Sequence, residues 1–362
     1  NIIGCHRNVA FDLFNIHHGR VLDASKRVFR YSKRRTTVCN AFHNHLVRGV
    51  CQSYMTKRVN DISIPSIELR ADALVAVDRG DPYLDWAPRF SCLDELQVMD
   101  IGSSSIIEDS IRIGSWNLER GKEWQRAAEI IERENVEVLF LSEMDLGMSR
   151  SGQQHTAAEL AARLGWHGLF AVEFVELELG NPWEIASPVE STNVAGLHGN
   201  AILSRYPLHK PWLHRFTQSD GSWWHRQFNE PRLGGRMAVG ATLETSIGPV
   251  ELLTTHLENN QGPIERADAL RELFARRLTH LPSVFGGDLN TSTLNPRLHT
   301  DPFRERAELA TANPDRFLNP CAYEPLFDLC HHHDFQWGDL QYNGGHTKTS
   351  RAWLSQGSAR PH

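Results

Sequence analysis

Short apolar runs that each end in a polar residue recur four times along this chain of 362 residues. They are Ile111-Arg112-Ile113-Gly114-Ser115-Trp116-Asn117, Val136 to Leu141 followed by Ser142-Glu143, Val250 to Thr255 followed by His256, and Ser283-Val284-Phe285-Gly286-Gly287 followed by Asp288-Leu289-Asn290. Alternation, or a short unbroken apolar stretch bounded by turn residues, is the pattern of a buried strand. A polar residue closing such a run sits at the rim of the core rather than inside it. Strand ends that converge on one edge make a crevice suited to binding and catalysis.

The last of these runs is the most specific. Residues i and i+2 of a strand share a face, so strand geometry continued past the glycines projects Asp288 and Asn290 together. The glycines remove Cβ atoms where another backbone or a ligand comes close. Taken alone, the run also reads as a strand followed by an ordinary Gly/Asp/Asn turn. Together with the other three it points to phosphoester hydrolysis. A hard divalent cation takes oxygen ligands, and Mg²⁺ needs only one or two carboxylates beside water and phosphate oxygens. Glu143 with the Asn117 amide supplies such a sparse site. His256 can hydrogen-bond a phosphate or move a proton, Asp288 can align and deprotonate a water, and Asn290 can hold that water or the phosphate.

Around these runs the sequence predicts helices at Lys122 to Glu134, Thr156 to Leu164, Pro263 to Thr279, Arg304 to Ala310 and Glu324 to Cys330. Further strands are predicted at Trp166 to Val175, His198 to Ser204 and Met237 to Leu243, the last antiparallel to Val250 to Thr255. Hairpins mixed with strand–helix alternation give an α/β fold of two packed mixed sheets with helices outside. Residues 1–70 read as a basic N-terminal extension of unassigned role, 71–110 as a linker with Asp81-Pro82 and Ala87-Pro88 turn signals, and 111–362 as the main domain.

Net charge is −6, yet residues 1–60 hold 11 Lys/Arg against 2 Asp/Glu, which leaves −15 on the remainder. An acidic body repels polyanions at long range, so a nucleic-acid substrate needs local cations and a metal. Arg205, Arg232, Arg236 and the Asn200 amide are the candidates for contacting a substrate phosphate, with a salt bridge as the alternative for Arg205. Trp223-Trp224 reads as a loop packed on its own domain. No apolar run approaches the ~20 residues of a membrane span. The six cysteines show no metal-ligand spacing and read as reduced, which leans to a cytoplasmic location; a monomer is expected. Asp145, two residues past Glu143, either joins the site or bonds backbone in a turn. His331-His332-His333 reads as a solvated helix end.

The blocks Ser115-Trp116-Asn117-Leu118-Glu119, Leu141-Ser142-Glu143, His198-Gly199-Asn200-Ala201-Ile202-Leu203-Ser204-Arg205-Tyr206-Pro207, Thr254-Thr255-His256-Leu257 and Gly287-Asp288-Leu289-Asn290 stand in an order that resembles the endonuclease/exonuclease/phosphatase family. That family includes pancreatic-type deoxyribonucleases, apurinic endonucleases, inositol-polyphosphate phosphatases and neutral sphingomyelinases. The resemblance implies a four-layered sandwich and a Mg²⁺- or Mn²⁺-dependent phosphoesterase. It implies that Asn117 and Glu143 serve the metal, with Glu119 as an acidic neighbour, that His256 contacts the phosphate, and that Asp288 and Asn290 orient water. The expected activity is phosphodiester hydrolysis of a nuclease-like kind. A phosphomonoesterase or sphingomyelinase-like headgroup hydrolase is the alternative on the same site, and an inactive binding protein the alternative of another class. After Gly344 to Thr349 no Asp-bearing strand follows, a departure from the family pattern read here as truncation before the last strand.

Overall fold

The computed structural model describes residues 2–4, 10–17, 20–22 and 56–336, the last with breaks at 103–106, 108–109, 187, 218–222, 226–229, 247, 260, 292–311, 313–314 and 316–319. The helix expected at Arg304 to Ala310 and the expectation about the chain's last segment fall outside them.

Among the described residues, fourteen strands form two sheets. In chain order they are β1 (Ile2–Gly4), β2 (Ala10–His17), β3 (Arg20–Leu22), β4 (Lys57–Val59), β5 (Glu95–Met99), β6 (Ser110–Arg120) and β7 (Val138–Leu146). Then come β8 (His167–Glu176), β9 (Leu197–Ser204), β10 (Leu208–Arg215), β11 (Arg232–Gly234), β12 (Met237–Thr245), β13 (Gly248–His256) and β14 (Ser283–Asp288). The smaller sheet runs β1-β14-β13-β12-β10, and the larger runs β3-β2-β6-β7-β9-β8-β5-β4 with β11 added along β8. Strand β12 pairs antiparallel with β13 as the sequence predicts, whereas β13 lies parallel to β14 and β6 parallel to β7.

The helices are α1 (Ile67–Arg79), α2 (Tyr83–Trp86), α3 (Trp124–Arg133), α4 (Thr156–Leu164), α5 (Pro182–Ala186), α6 (Pro263–Arg276) and α7 (Pro325–His332). Strand β7 shows how the layers are built. Its unbroken apolar run serves two cores, because successive side chains point to opposite faces. Val138 and Phe140 meet Ile113, Leu252 and Val284 between the sheets, while Leu139 and Leu141 meet Ala128, Ile131 and Leu160 of α3 and α4. On the far side, Leu270, Leu273 and Phe274 of α6 pack with Leu326 and Phe327 of α7 over Leu253 and Phe285 of the smaller sheet. The result is four layers, helix–sheet–sheet–helix. Arg266 on α6 is fully buried and its guanidinium is forked by Glu324 at 2.5 and 3.2 Å.

The described part of 71–110, expected as a linker, includes a helix and a strand that pack with the rest of the described residues. Helix α1 is capped by the Ser66 hydroxyl, which accepts from the Leu69 N–H, and by Gly80 at φ 75°, and it buries Ala73, Ala76 and Val77. Strand β5 pairs antiparallel with β8 over Leu96–Met99. An alanine-rich apolar stripe between two proline turns carries little periodic signal, although it packs as firmly as a leucine stripe. The N-terminal segment, expected as an extension, adds β1 to the edge of the smaller sheet at β14 and β2 to the larger sheet at β6.

Candidate active site

Parallel pairing puts the C-terminal ends of β6 and β7 side by side, and those of β13 and β14 likewise. The two sheets face each other, so the four tips close on one crevice. The Asn117 amide joins them. Its Nδ2 donates to Glu143 Oε1 on the neighbouring strand at 2.8 Å and to Asp288 Oδ2 across the sandwich at 2.9 Å. His256 is in direct register with Asp288, and its Nε2 lies 3.8 Å from the same Oδ2. The residues at the ends of four separate runs therefore stand together.

Backbone strain concentrates at these tips. Of eight non-glycine residues at positive φ among the described residues, four are here: Glu119 at 48°, Arg120 at 74°, Glu143 at 59° and Asn290 at 46°. Such conformations cost side-chain-bearing residues energy and persist only where the surrounding structure enforces them. Two register slips accompany them, between Asn117 and Arg120 where β6 meets β7, and between Leu141 and Met144 where β7 meets β9. Bulges of this kind re-aim side chains at a sheet rim. Gly287, at φ 136°, is required for another reason: a Cβ there would lie 1.8 Å from the Thr255 carbonyl oxygen. The close approach inferred from the Gly286-Gly287 pair is thus a backbone of the neighbouring strand.

Several expected site residues are placed differently. Strand β14 ends at Asp288, so the shared-face geometry does not extend to Asn290. Instead the Asn290 N–H donates to Asp288 Oδ1 at 3.1 Å, and its side-chain amide donates to the Leu257 carbonyl at 2.8 Å, tying this turn to the end of β13. Glu119 has an exposed side chain, and its N–H donates to Asn117 Oδ1 at 3.0 Å. Asn200 is buried on β9, with Nδ2 4.0 Å from the Met237 sulfur and Oδ1 lacking a hydrogen-bond partner.

Of the three arginines expected to reach a substrate phosphate, Arg232 and Arg236 are engaged inside the protein and Arg205 is exposed. Arg205 faces Glu137 at 3.7 Å, just before β7 begins, so it lies at the opposite end of that strand from Glu143. Arg232 is buried against Glu176 at 2.8 Å and also pairs with Glu230. Arg236 is buried between Glu173 at 3.1 Å and Glu258 at 3.0 Å. The Trp223 indole N–H donates to the same Glu258, and Trp223 and Trp224 are both buried, in keeping with a packed loop. The sequence showed the cations and not their carboxylates, which arrive from distant strands.

Glu173 is the principal site residue that sequence reading passed over. It lies in the middle of β8, where the register on β9 slips between Val172 and Phe174, and it is fully buried. Its Oε2 sits 3.4 Å from His256 Nδ1 and its Oε1 3.1 Å from Arg236 Nη1. Burial opposes its charge, yet Arg236 and His256 outweigh burial and hold the carboxyl down at about 2. A charged acid inside an apolar strand is the signal that could have found it, since buried charges occur only when paired.

Behind Glu143 lies a second charged group of residues. Arg150 grips Asp145 through two bonds of 2.9 Å and reaches Glu176 at 3.2 Å and Glu184 at 3.0 Å. Asp145 also meets His198 Nδ1 at 2.7 Å. Burial works against the Asp145 charge, but the Arg150 guanidinium beside it holds its carboxyl well below the ordinary range. Asp145 therefore serves the site from behind, as a buried anchor.

The residues present fit a hard divalent cation. Two carboxylates, Glu143 and Asp288, lie within hydrogen-bond reach of one amide, and no group of three or more His, Cys, Asp or Glu is gathered as a metal cluster among the described residues. So sparse a donor set suits an ion that retains several waters, and does not suit a structural zinc or a calcium cage.

Residues 114–354 match the model of the family described as "Endonuclease/Exonuclease/phosphatase family". No curated protein sequence matches the chain. Among solved structures the chain is similar to the human Nocturnin catalytic domain with bound sulfate, at 20% identity, 60% of this chain and 72% of that one covered, and a TM-score of 0.35. It is also similar to truncated Caenorhabditis elegans TDP2 at 20% identity, with 49% and 61% covered and a TM-score of 0.29. An AP endonuclease from Archaeoglobus fulgidus matches at 11% identity, with 50% and 57% covered and a TM-score of 0.31. The chain spans less than two thirds of the last two structures.

Proposed function

The chain belongs to the endonuclease/exonuclease/phosphatase family, and from that premise we propose that it is a divalent-metal-dependent phosphoesterase that cleaves a phosphodiester by attack of an activated water. The observation that carries this reading is the Asn117 amide bridging the Glu143 and Asp288 carboxylates across the two sheets. Glu143 is the carboxylate that would hold Mg²⁺ or Mn²⁺, with Asn117 fixing its orientation. The ion, when bound, supplies charge neutralisation at the phosphoryl oxygens.

Asp288 has one oxygen fixed by the Asn290 N–H and the other directed to Asn117 and towards His256. A carboxylate has about four lone-pair sites, so it can still accept the proton of a water. Asp288 aligns and deprotonates that water. His256 presents Nε2 to the crevice because Nδ1 faces Glu173, and it donates to a phosphoryl oxygen. Asn290 acts at one remove, by clamping the turn after Asp288 to the Leu257 carbonyl. A donor aimed where charge develops contributes about 10²- to 10³-fold in rate.

Hydrolysis of a generic phosphodiester such as bis(p-nitrophenyl) phosphate tests the reading. Turnover should require Mg²⁺ or Mn²⁺, vanish with chelator and return on re-addition. Asp288→Ala should lower kcat by about 10²-fold or more while leaving the circular dichroism spectrum intact. Full activity of that variant removes Asp288 from the mechanism. A panel of DNA, RNA, sphingomyelin and phosphomonoesters then separates the nuclease-like from the headgroup-hydrolase reading, and binding without cleavage of any of them points to a binding protein on this fold.

A further inference from the structure

Arg120 has no part in the mechanism above, yet the backbone is distorted to place it in the site. It follows Glu119, both at positive φ, and it lies at the end of the register slip on β7. Energy stored in this way at a site calls for a functional explanation. The guanidinium, 15% exposed, donates through Nη1 to Glu143 Oε2 at 2.9 Å. The same nitrogen is 3.5 Å from His198 Nε2. His198 is in turn fixed through Nδ1 by Asp145, which Arg150 grips. A buried chain of four side chains therefore aims one cation at the carboxylate assigned to the divalent ion.

Two further carboxylates stand just beyond bonding range of Arg120, Glu184 at 3.6 Å from Nε and Glu230 at 3.9 Å from Nη2. A guanidinium stays protonated throughout the pH range of a folded protein. Arg120 is then a permanent positive charge with one close acceptor and two in reserve.

We propose that Arg120 is a positioning residue that occupies Glu143 when no divalent ion is present, competes with that ion for the carboxylate, and moves towards Glu184 and Glu230 when the ion binds. The inference rests on the reading of Glu143 as the ion's ligand. It follows from the geometry: a guanidinium hydrogen-bonded to a carboxylate both uses an acceptor site and repels a second cation. The pair keeps Glu143 oriented before the ion arrives. The cost is weaker affinity for the ion, and the phosphate's own negative charge offsets that repulsion when substrate enters.

Calorimetric titration of the substrate-free protein with Mn²⁺ alone tests this. Arg120→Gln should bind Mn²⁺ at least tenfold more tightly than wild type, and Arg120→Lys, which keeps the charge, should stay within about threefold of wild type. Equal or weaker Mn²⁺ affinity in Arg120→Gln overturns the inference and leaves the reading of the site standing. No Mn²⁺ binding by the wild-type protein overturns both. Should Arg120→Gln not unfold cooperatively, the structure of the wild-type protein with Mn²⁺ decides: Arg120 Nη1 must have left Glu143, and a retained contact with the ion on that carboxylate overturns the inference.

Discussion

Replacing Glu173 by Gln keeps the shape of β8 and removes a single charge from the contact that faces His256 and Arg236. The folded carboxyl is held at about 2 against an ordinary 4.5. At about 1.4 kcal/mol per pKa unit this corresponds to about 3 kcal/mol of stability at neutral pH. Because the folded value is depressed, that stability is fully present above the unfolded carboxyl range and is lost as pH falls from about 4.5 towards 2. Thermal unfolding at pH 7 should therefore show Glu173→Gln lowered by about 6–12 °C, taking 2–4 °C per kcal/mol for a domain of this size. The gap from wild type should narrow as pH falls towards 3. Activity should fall more steeply than stability suggests. With no anion at Nδ1, the imidazole loses its orientation, and kcat on a phosphodiester should drop by about 10²- to 10⁴-fold. A folded Glu173→Gln protein with kcat within twofold of wild type refutes the pairing as a working part of the site. A midpoint that does not move at pH 7 refutes the electrostatic account.

Two other outcomes follow from the fold. Gly287→Ala should not yield a stable protein, because its Cβ would fall 1.8 Å from the Thr255 carbonyl oxygen at φ 136°; near-native melting would show that β13 and β14 can separate there. Arg266→Ala should cost about 3–5 kcal/mol in urea unfolding by taking away the guanidinium that forks the buried Glu324 carboxylate, while Arg266→Ala with Glu324→Leu should recover part of that loss.

Much of the fold was written in local pattern. Helix α4 falls on Thr156–Leu164 as its apolar spacing predicts, and α6 begins at Pro263 because proline fits a first helical turn. The hairpin of β12 and β13 followed from two apolar runs around a Gly-Pro turn. Residues 57–99 escaped because their apolar positions are alanines and short runs between proline turns, which signal burial only once a partner surface exists. His331 and His332 end α7 exposed, as their divergence along a helix required.

Sequence by itself determined which polar side chains follow the four apolar runs, Asn117, Glu143, His256 and Asp288, although β6 and β7 continue past Asn117 and Glu143 to Arg120 and Leu146. A period of two residues fixes the face of a strand. Partners are another matter, since no period reports which distant strand lies opposite. Tertiary structure alone decided that Arg232 and Arg236 are consumed by Glu176, Glu173 and Glu258, and that Arg205 lies at the wrong end of the sheet. It also decided that Asn290 leaves the strand face, and that Glu173 and Arg120 enter the site through register slips. A bulge displaces every following side chain by one position. Electrostatic pairing is settled only after the sheets have packed, so the chemistry of this crevice rests on contacts between residues far apart in the chain.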